Sequence, residues 1–199
     1  MDSIYIEMLI QDYDQLHPLP RSVYREVIPH LTLVKHKRGT ILKKSGQVDR
    51  VSRYLLKGFI GYYGQFEGEP SLLTIFKPSD TAFDLESYGH ETPSDKELKA
   101  ISDIVFFEFS IESQKELLSK DIRLIQLAHS ISMRVLERHG RSLEIAKMRI
   151  RDGYPVLMKE YPGLEAELTN ADLGGFFRVT KRTAEREKQR LKFGNHGKV

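Results

Sequence analysis

Between residues 39 and 68 the chain places glycine at 39, 46, 58, 61, 64 and 68, whereas residues 111 to 148 contain no proline and one glycine, Gly140. Glycine inside a helix costs about 1 kcal/mol relative to alanine, so the first stretch is poor helix material and the second is good. The runs bounded by those glycines and extending to Phe109 are LTLVKHK, GTILKK, SRYLLKGFIGYY, SLLTIF, KELKAI and DIVFFEF. They are short and rich in β-branched and aromatic residues, as strands are. Many short strands at regular spacing predict a sandwich or rolled barrel, here a double-stranded, jelly-roll-like β-helix. Ahead of it, Ile4, Met8 and Leu9 fall at helical spacing within residues 3 to 15, and residues 21 to 30 offer a second short helix after Pro18 and Pro20.

The proline-free stretch predicts a long helix with two apolar rows. One contains Leu124, Leu127 and Ile131; the other is the rough heptad Ile125, Ala128, Ser132, Val135 and His139. The first row suits packing on the β domain and the second a seam with another copy of the chain; the alternative is an ordinary amphipathic helix packed inside one subunit. Residues 152 to 164, DGYPVLMKEYPGL, read as Gly/Pro punctuation before a final module. The expected organisation is an α+β chain with a β-roll domain and N-terminal helices at 1–120, a connecting helix at 121–148 and a C-terminal module at 149–199.

That last module carries the charge. From Asn170 onward eight basic residues face three acids, an excess of five, while the whole chain sums to +3, so everything before it is net negative. Such asymmetry fits a basic module that meets a polyanion. Thr169 with Asp172 three residues later is a capping pattern, followed by Leu173, Phe176 and Phe177 at inward spacing. A second helix can start at Thr180, with Val179 plugging the gap between the two. A helix pair of this kind lays the second helix in the major groove, where Lys181, Arg182, Glu185 and Arg186, with Gln189 one turn on, reach base edges.

The order of these parts and several of their residues resemble the Crp/Fnr family of bacterial regulators. The resemblance covers roughly Leu31 to Val199. It rests on HKRGTILKKSG and YLLKGFIGYY in the β region, on FKPSDTAFDLESY at the family's effector segment, and on LTNADLGGFFRVTKRTAEREKQRL at the end. In the last of these, Leu173, Gly174, Phe176, Val179, Thr180, Thr183 and Arg186 match the motif, and Lys181, Arg182 and Arg186 stand where the family reads bases. The resemblance implies a cyclic-nucleotide-binding-like roll, a dimerisation helix and a winged helix-turn-helix. Double-stranded DNA and a second copy of the chain are the implied partners.

Four departures bear on function. Where cyclic-nucleotide binders use Gly-Glu for the ribose and Arg-Ser for the phosphate, this chain has Phe83–Asp84 and Ser94–Asp95. A carboxylate repels a phosphate, so cyclic AMP is not the expected ligand of this degenerate pocket unless Lys96 turns inward; an unidentified small-molecule effector stays open. The turn position usually held by glycine is Arg178, and a left-handed conformation there costs about 1–2 kcal/mol. The inward position after Ala184 is Glu187, which must reach water or meet an arginine. The chain ends in FGNHGKV where the family builds its β-hairpin wing, so a truncated wing is expected.

The competing reading keeps the dimeric scaffold but acts through a protein partner, the second helix having lost DNA binding. An enzyme is not expected. The chain has no cysteine, which excludes disulfides, thiolate metal sites and a cysteine nucleophile, and its seven histidines include no His-x-His pair, so neither a metal nor a cofactor is expected. No apolar run approaches the roughly 20 residues of a membrane helix, and MDSIYIEMLIQDYDQL lacks the basic start of a signal peptide, which points to a cytoplasmic protein without membrane contact.

Overall fold

A computed structural model describes the backbone of residues 3–194 and the side chains of residues 3–191. Two helices, α1 (Ser3–Leu16) and α2 (Arg21–Val27), precede eight strands: β1 (Thr32–His36), β2 (Ile41–Lys43), β3 (Val51–Lys57), β4 (Ile60–Phe66), β5 (Glu69–Phe76), β6 (Thr81–Ala82), β7 (Glu97–Ala100) and β8 (Ile104–Ser110). A short helix, α3 (Leu85–His90), lies between β6 and β7. Behind the strands follow α4 (Ile111–Lys120), α5 (Ile122–Ala146), α6 (Ile150–Glu160), α7 (Asn170–Phe177) and α8 (Lys181–Gly194).

The strands form two antiparallel four-stranded sheets, ordered β1-β8-β3-β6 and β2-β7-β4-β5, so the expected α+β roll is present. Its tightest corner needs glycine: Gly58, between β3 and β4, has φ +85°, and a Cβ there would stand 2.2 Å from the Asp103 carbonyl oxygen. The inner strands of the first sheet, β3 and β8, are covered on both faces, which explains their unbroken apolar runs. Leu55, Ile104 and Phe106 point into the roll against Ile60, Phe76 and Leu98. Tyr54, Leu56 and Phe107 point outward and are covered by Leu9 and Ile10 of α1, Tyr24 of α2, Leu117 of α4, and Leu124 and Leu127 of α5.

The proline-free stretch is two helices. Ser110 caps α4, its hydroxyl accepting from Ser113 N at 3.1 Å, and extended Asp121 ends α4 and caps α5 by accepting from Arg123 N at 2.9 Å. One sequence expectation is corrected here. The stretch read as punctuation largely forms α6, which contains Pro155 and gives up only the bond to the Arg151 carbonyl. Gly153 lets α6 approach closely, since a Cβ would lie 2.5 Å from the Phe177 ring.

Within one chain, the residues expected at a seam do not share one exposed face. Val135 is buried in the roll's core and His139 bonds Thr74 of β5 at 3.0 Å, while Ala128 and Ser132 face the space under α1 and α4. Of the five seam residues only Ile125 is exposed; the outer stripe instead runs Ile122, Ile125, Met133, Leu136 and Leu143. At 100° per residue this stripe is turned by about 70° from the expected row. Heptad counting sees two apolar rows but not how wide an arc the β domain covers.

The C-terminal helices share a core with the roll: Leu157, Tyr161, Leu164, Leu173, Phe176 and Ala184 pack with Phe59, Leu72 and Ile75. Among the described residues, no helix is long and apolar enough to cross a membrane.

Candidate nucleic-acid interface and the interior of the roll

Helix α7 begins as its sequence dictates. The Thr169 hydroxyl accepts from Asp172 N at 3.0 Å and the Asp172 carboxylate accepts from Thr169 N at 3.2 Å, a reciprocal capping box. Leu173, Phe176 and Phe177 are buried. The turn after α7 keeps the left-handed geometry of a glycine although the residue is Arg178, at φ 54° and ψ 45°. Its guanidinium lies 4.4 Å from the centre of the Phe66 ring at the end of β4. Gly174 makes the crossing possible, because a Cβ would come within 2.8 Å of the Val179 carbonyl oxygen.

Thr180 caps α8, accepting from Thr183 N at 3.1 Å. Ala184 is fully buried against the module's core. Thr180, Lys181, Arg182, Glu185, Arg186 and Gln189 are all exposed. Spacings of three and four residues place them along one solvent-facing side of the helix. Glu187 meets arginines, with Arg190 at 3.0 Å and Arg186 at 3.4 Å. The expected wing residues Asn195 to Val199 lie outside the described residues.

The helix pair is seated on the roll. A Cβ on Gly175 would stand 3.1 Å from Ser71 Cα of β5, so α7 touches the strand backbone itself. Tyr63 OH donates to Asp172 at 3.0 Å, Arg38 donates to the Glu167 carbonyl at 2.7 Å, and Glu160 at the end of α6 receives Lys77 at 3.1 Å and Arg138 at 2.8 Å.

Inside the roll, the residues that the resemblance assigns to an effector divide. Asp84 and Ser94 come together, joined by a short hydrogen bond from the Ser94 hydroxyl, whereas Asp95 points to solvent and pairs with Lys96. Phe83 turns the other way, onto the Tyr88 ring. The cation in this site is therefore not Lys96 but Lys43 of β2, which the sequence alone did not single out. Its side chain is 2% exposed and its ammonium donates to Asp84 at 3.0 Å, Ser94 Oγ at 2.5 Å and the Lys96 carbonyl at 2.7 Å, which uses its three protons.

Asp84 accepts further from Tyr62 OH at 3.1 Å and, as the cap of α3, from Ser87 N at 3.3 Å. Burial pushes its carboxyl upward, but the Ser94 hydroxyl, the Lys43 ammonium and the Ser87 N–H outweigh burial and hold it below the usual carboxylate range. Asp49 extends the network, accepting from Asp84 N at 2.9 Å and from buried Arg53 at 3.1 Å. Polar satisfaction of Asp84 is thus internal, with Lys43 supplying the cation beside it. Among the described residues, no cluster of three His, Asp or Glu side chains is placed to hold a metal.

In its rolled sheets, long helix and terminal helix pair the chain is similar to solved structures described as a regulator of the Crp/Fnr family and as a cyclic nucleotide-binding domain. It superposes on the c-di-GMP-responsive global regulator CLP of Xanthomonas campestris with a TM-score of 0.67 at 14% identity, covering 88% of this chain and 93% of that one. A protein of Eubacterium rectale described as a regulator of the Crp/Fnr family gives 0.67 at 13% identity, over 88% and 85% of the two chains. The Thermus thermophilus catabolite activator protein gives 0.52 at 16% identity, over 90% and 87%. No protein-family profile matches the chain, and neither does any curated protein sequence.

Proposed function

We infer that this chain is a transcriptional regulator of the Crp/Fnr kind, a homodimer that binds near-palindromic duplex DNA through α8. The observation that carries this is the face of α8: Lys181, Arg182, Glu185, Arg186 and Gln189 stand exposed together on a helix whose cap and packing fix its direction. Arginine suits guanine, and glutamate accepts from cytosine N4. The two residues that favoured a protein-only role are accommodated, Arg178 by its seat on Phe66 and Glu187 by Arg190. The apolar stripe of α5 from Ile122 to Leu143 supplies the surface for the second copy, in place of the row through Val135 and His139. Cyclic AMP does not suit this interior, because Lys43 commits its three protons to Asp84, Ser94 and the Lys96 carbonyl and so offers none to a phosphate.

The test is selection of bound sites from a random duplex library, followed by salt titration on the selected site. Binding should weaken linearly in log–log form as salt rises. Arg182→Ala or Arg186→Ala should each cost about 1–3 kcal/mol and relax the preference at one base pair. No affinity for any duplex at low ionic strength would overturn DNA binding. Equal losses on all sequences would reduce these arginines to phosphate contacts.

A further inference from the structure

Outside the interior of the roll, where Lys43 sits, an apolar space lies on the outer face of the first sheet. A cavity of about 210 Å³ is bounded by Tyr13 of α1, Tyr54 and Phe107 on the outer face of the first sheet, Phe83 beside α3, Leu117 of α4 and Leu127 of α5. Most of these walls are themselves buried: Tyr54, Phe83, Phe107, Leu117 and Leu127 expose between 0% and 6% of their surface. Protein interiors pack to crystal density and rarely keep voids larger than a water molecule, so a space of this size costs stability when empty. An apolar cavity of about 150 Å³ is enough for benzene. Exposed Gly89 is part of the lining, which opens the cavity to the surface beside α3.

The chemistry of the walls selects the occupant. Among the described residues, no Asp, Glu, Lys, Arg or His lines this space. Its polar groups are already matched within the protein: Tyr13 with Thr81 at 3.1 Å, Tyr24 with Asp14 at 2.7 Å, Tyr88 with Gln114 at 2.8 Å, and Ser132 with the Ala128 carbonyl at 3.0 Å. A charged ligand would lose its hydration with nothing to replace it. A neutral, mostly aromatic or hydrocarbon ligand loses nothing and fills the void.

We propose that this cavity is a binding site for a neutral apolar small molecule somewhat larger than benzene, separate from the interior of the roll. It adjoins two elements that can register occupancy. Ala128 and Ser132 of α5 line it while Ile125 and Met133 of the same helix face solvent, and Phe83 and Leu85 line it on either side of Asp84. The site does not depend on α8 reading DNA, and its test measures binding alone.

The probe is 1-aminoanthracene, neutral at pH 7.5 and fluorescent in dry surroundings, titrated into the full chain. A saturable signal of one probe per chain is expected. Ala128→Phe and Ser132→Leu, each filling the cavity from α5, should weaken binding at least tenfold while melting cooperatively, and Gln126→Ala on the exposed side of the helix should leave it unchanged. In parallel, photolysis of bound 1-azidoanthracene should label α5 and the strands carrying Tyr54 and Phe107 in the unaltered chain, a reading that needs no variant to fold. No saturable signal, a signal that survives both fillings in folded protein, or labelling confined to other elements overturns the proposal.

Discussion

Arg178 shows how one side chain holds a backbone that its residue type disfavours. A non-glycine residue in the left-handed region costs about 1–2 kcal/mol. Stacking of the guanidinium on Phe66, at 4.4 Å, returns about 0.5–1 kcal/mol of that. Arg178→Ala keeps the strain and loses the ring, so it should destabilise the protein, whereas Arg178→Gly loses the ring but releases the strain. The glycine variant should therefore be the more stable of the two by about 1–2 kcal/mol in urea denaturation. An alanine variant as stable as the glycine one would contradict the strain argument. His139 makes a second test at this scale. Burial holds its imidazole below the ordinary value, against a smaller upward pull from Asp84, and its Nε2 has no partner. The unfolded chain protonates this residue as the pH falls through about 6.5 while the folded chain does not, so stability drops below that pH at up to about 1.4 kcal/mol per unit. In His139→Gln that component should vanish, and the stability gap to the unaltered protein should narrow from pH 7 to pH 5. The strain at Arg178 was readable in the sequence because the motif marks that position; the burial of His139 was not, because it depends on Thr74 and Tyr62 of a distant hairpin.

Among elements, a buried charge pair holds one end of the roll together. Lys43 ties β2 to α3 through Asp84 and to the start of β7 through the Lys96 carbonyl. Breaking a buried pair leaves an uncompensated charge, so Lys43→Met should cost about 3–5 kcal/mol. Adding Asp84→Asn removes the stranded charge, and the double variant should lose less than the sum of the two single ones. Strict additivity in a denaturation cycle would mean that the two residues do not act as a pair. The strands themselves were legible, since glycines punctuate them and β-branched and aromatic residues fill them. Lys43 was not, because one lysine on a three-residue strand looks the same whether it faces water or a carboxylate. Helix α6 was hidden by Gly153 and Pro155, which read as breakers although one allows a close approach to Phe177 and the other costs a single hydrogen bond. Short α3 was invisible until Asp84 could be seen capping it.

At the scale of the whole molecule, α5 has one face packed on the roll and one exposed, and neighbouring residues distinguish them. Val135 is 2% exposed inside the roll's core, and Leu136, one residue on, is 48% exposed on the outer stripe. If that stripe joins two copies, Leu136→Arg places like charges opposite each other across the two-fold axis and desolvates both, which the association cannot tolerate. Sedimentation should then show a monomer with a nearly unchanged melting temperature. Val135→Ala should do the reverse, losing about 2 kcal/mol of stability from its cavity while the protein stays dimeric. If α8 reads DNA as proposed, affinity depends on the same stripe, since a dimer engages two half-sites at once and a monomer only one. Leu136→Arg should therefore lose at least about a hundredfold in affinity for a palindromic site but little for a single half-site. If it stays dimeric while Val135→Ala dissociates, the seam is the row through Val135 and His139, and the roll must yield that face of α5 when two chains meet.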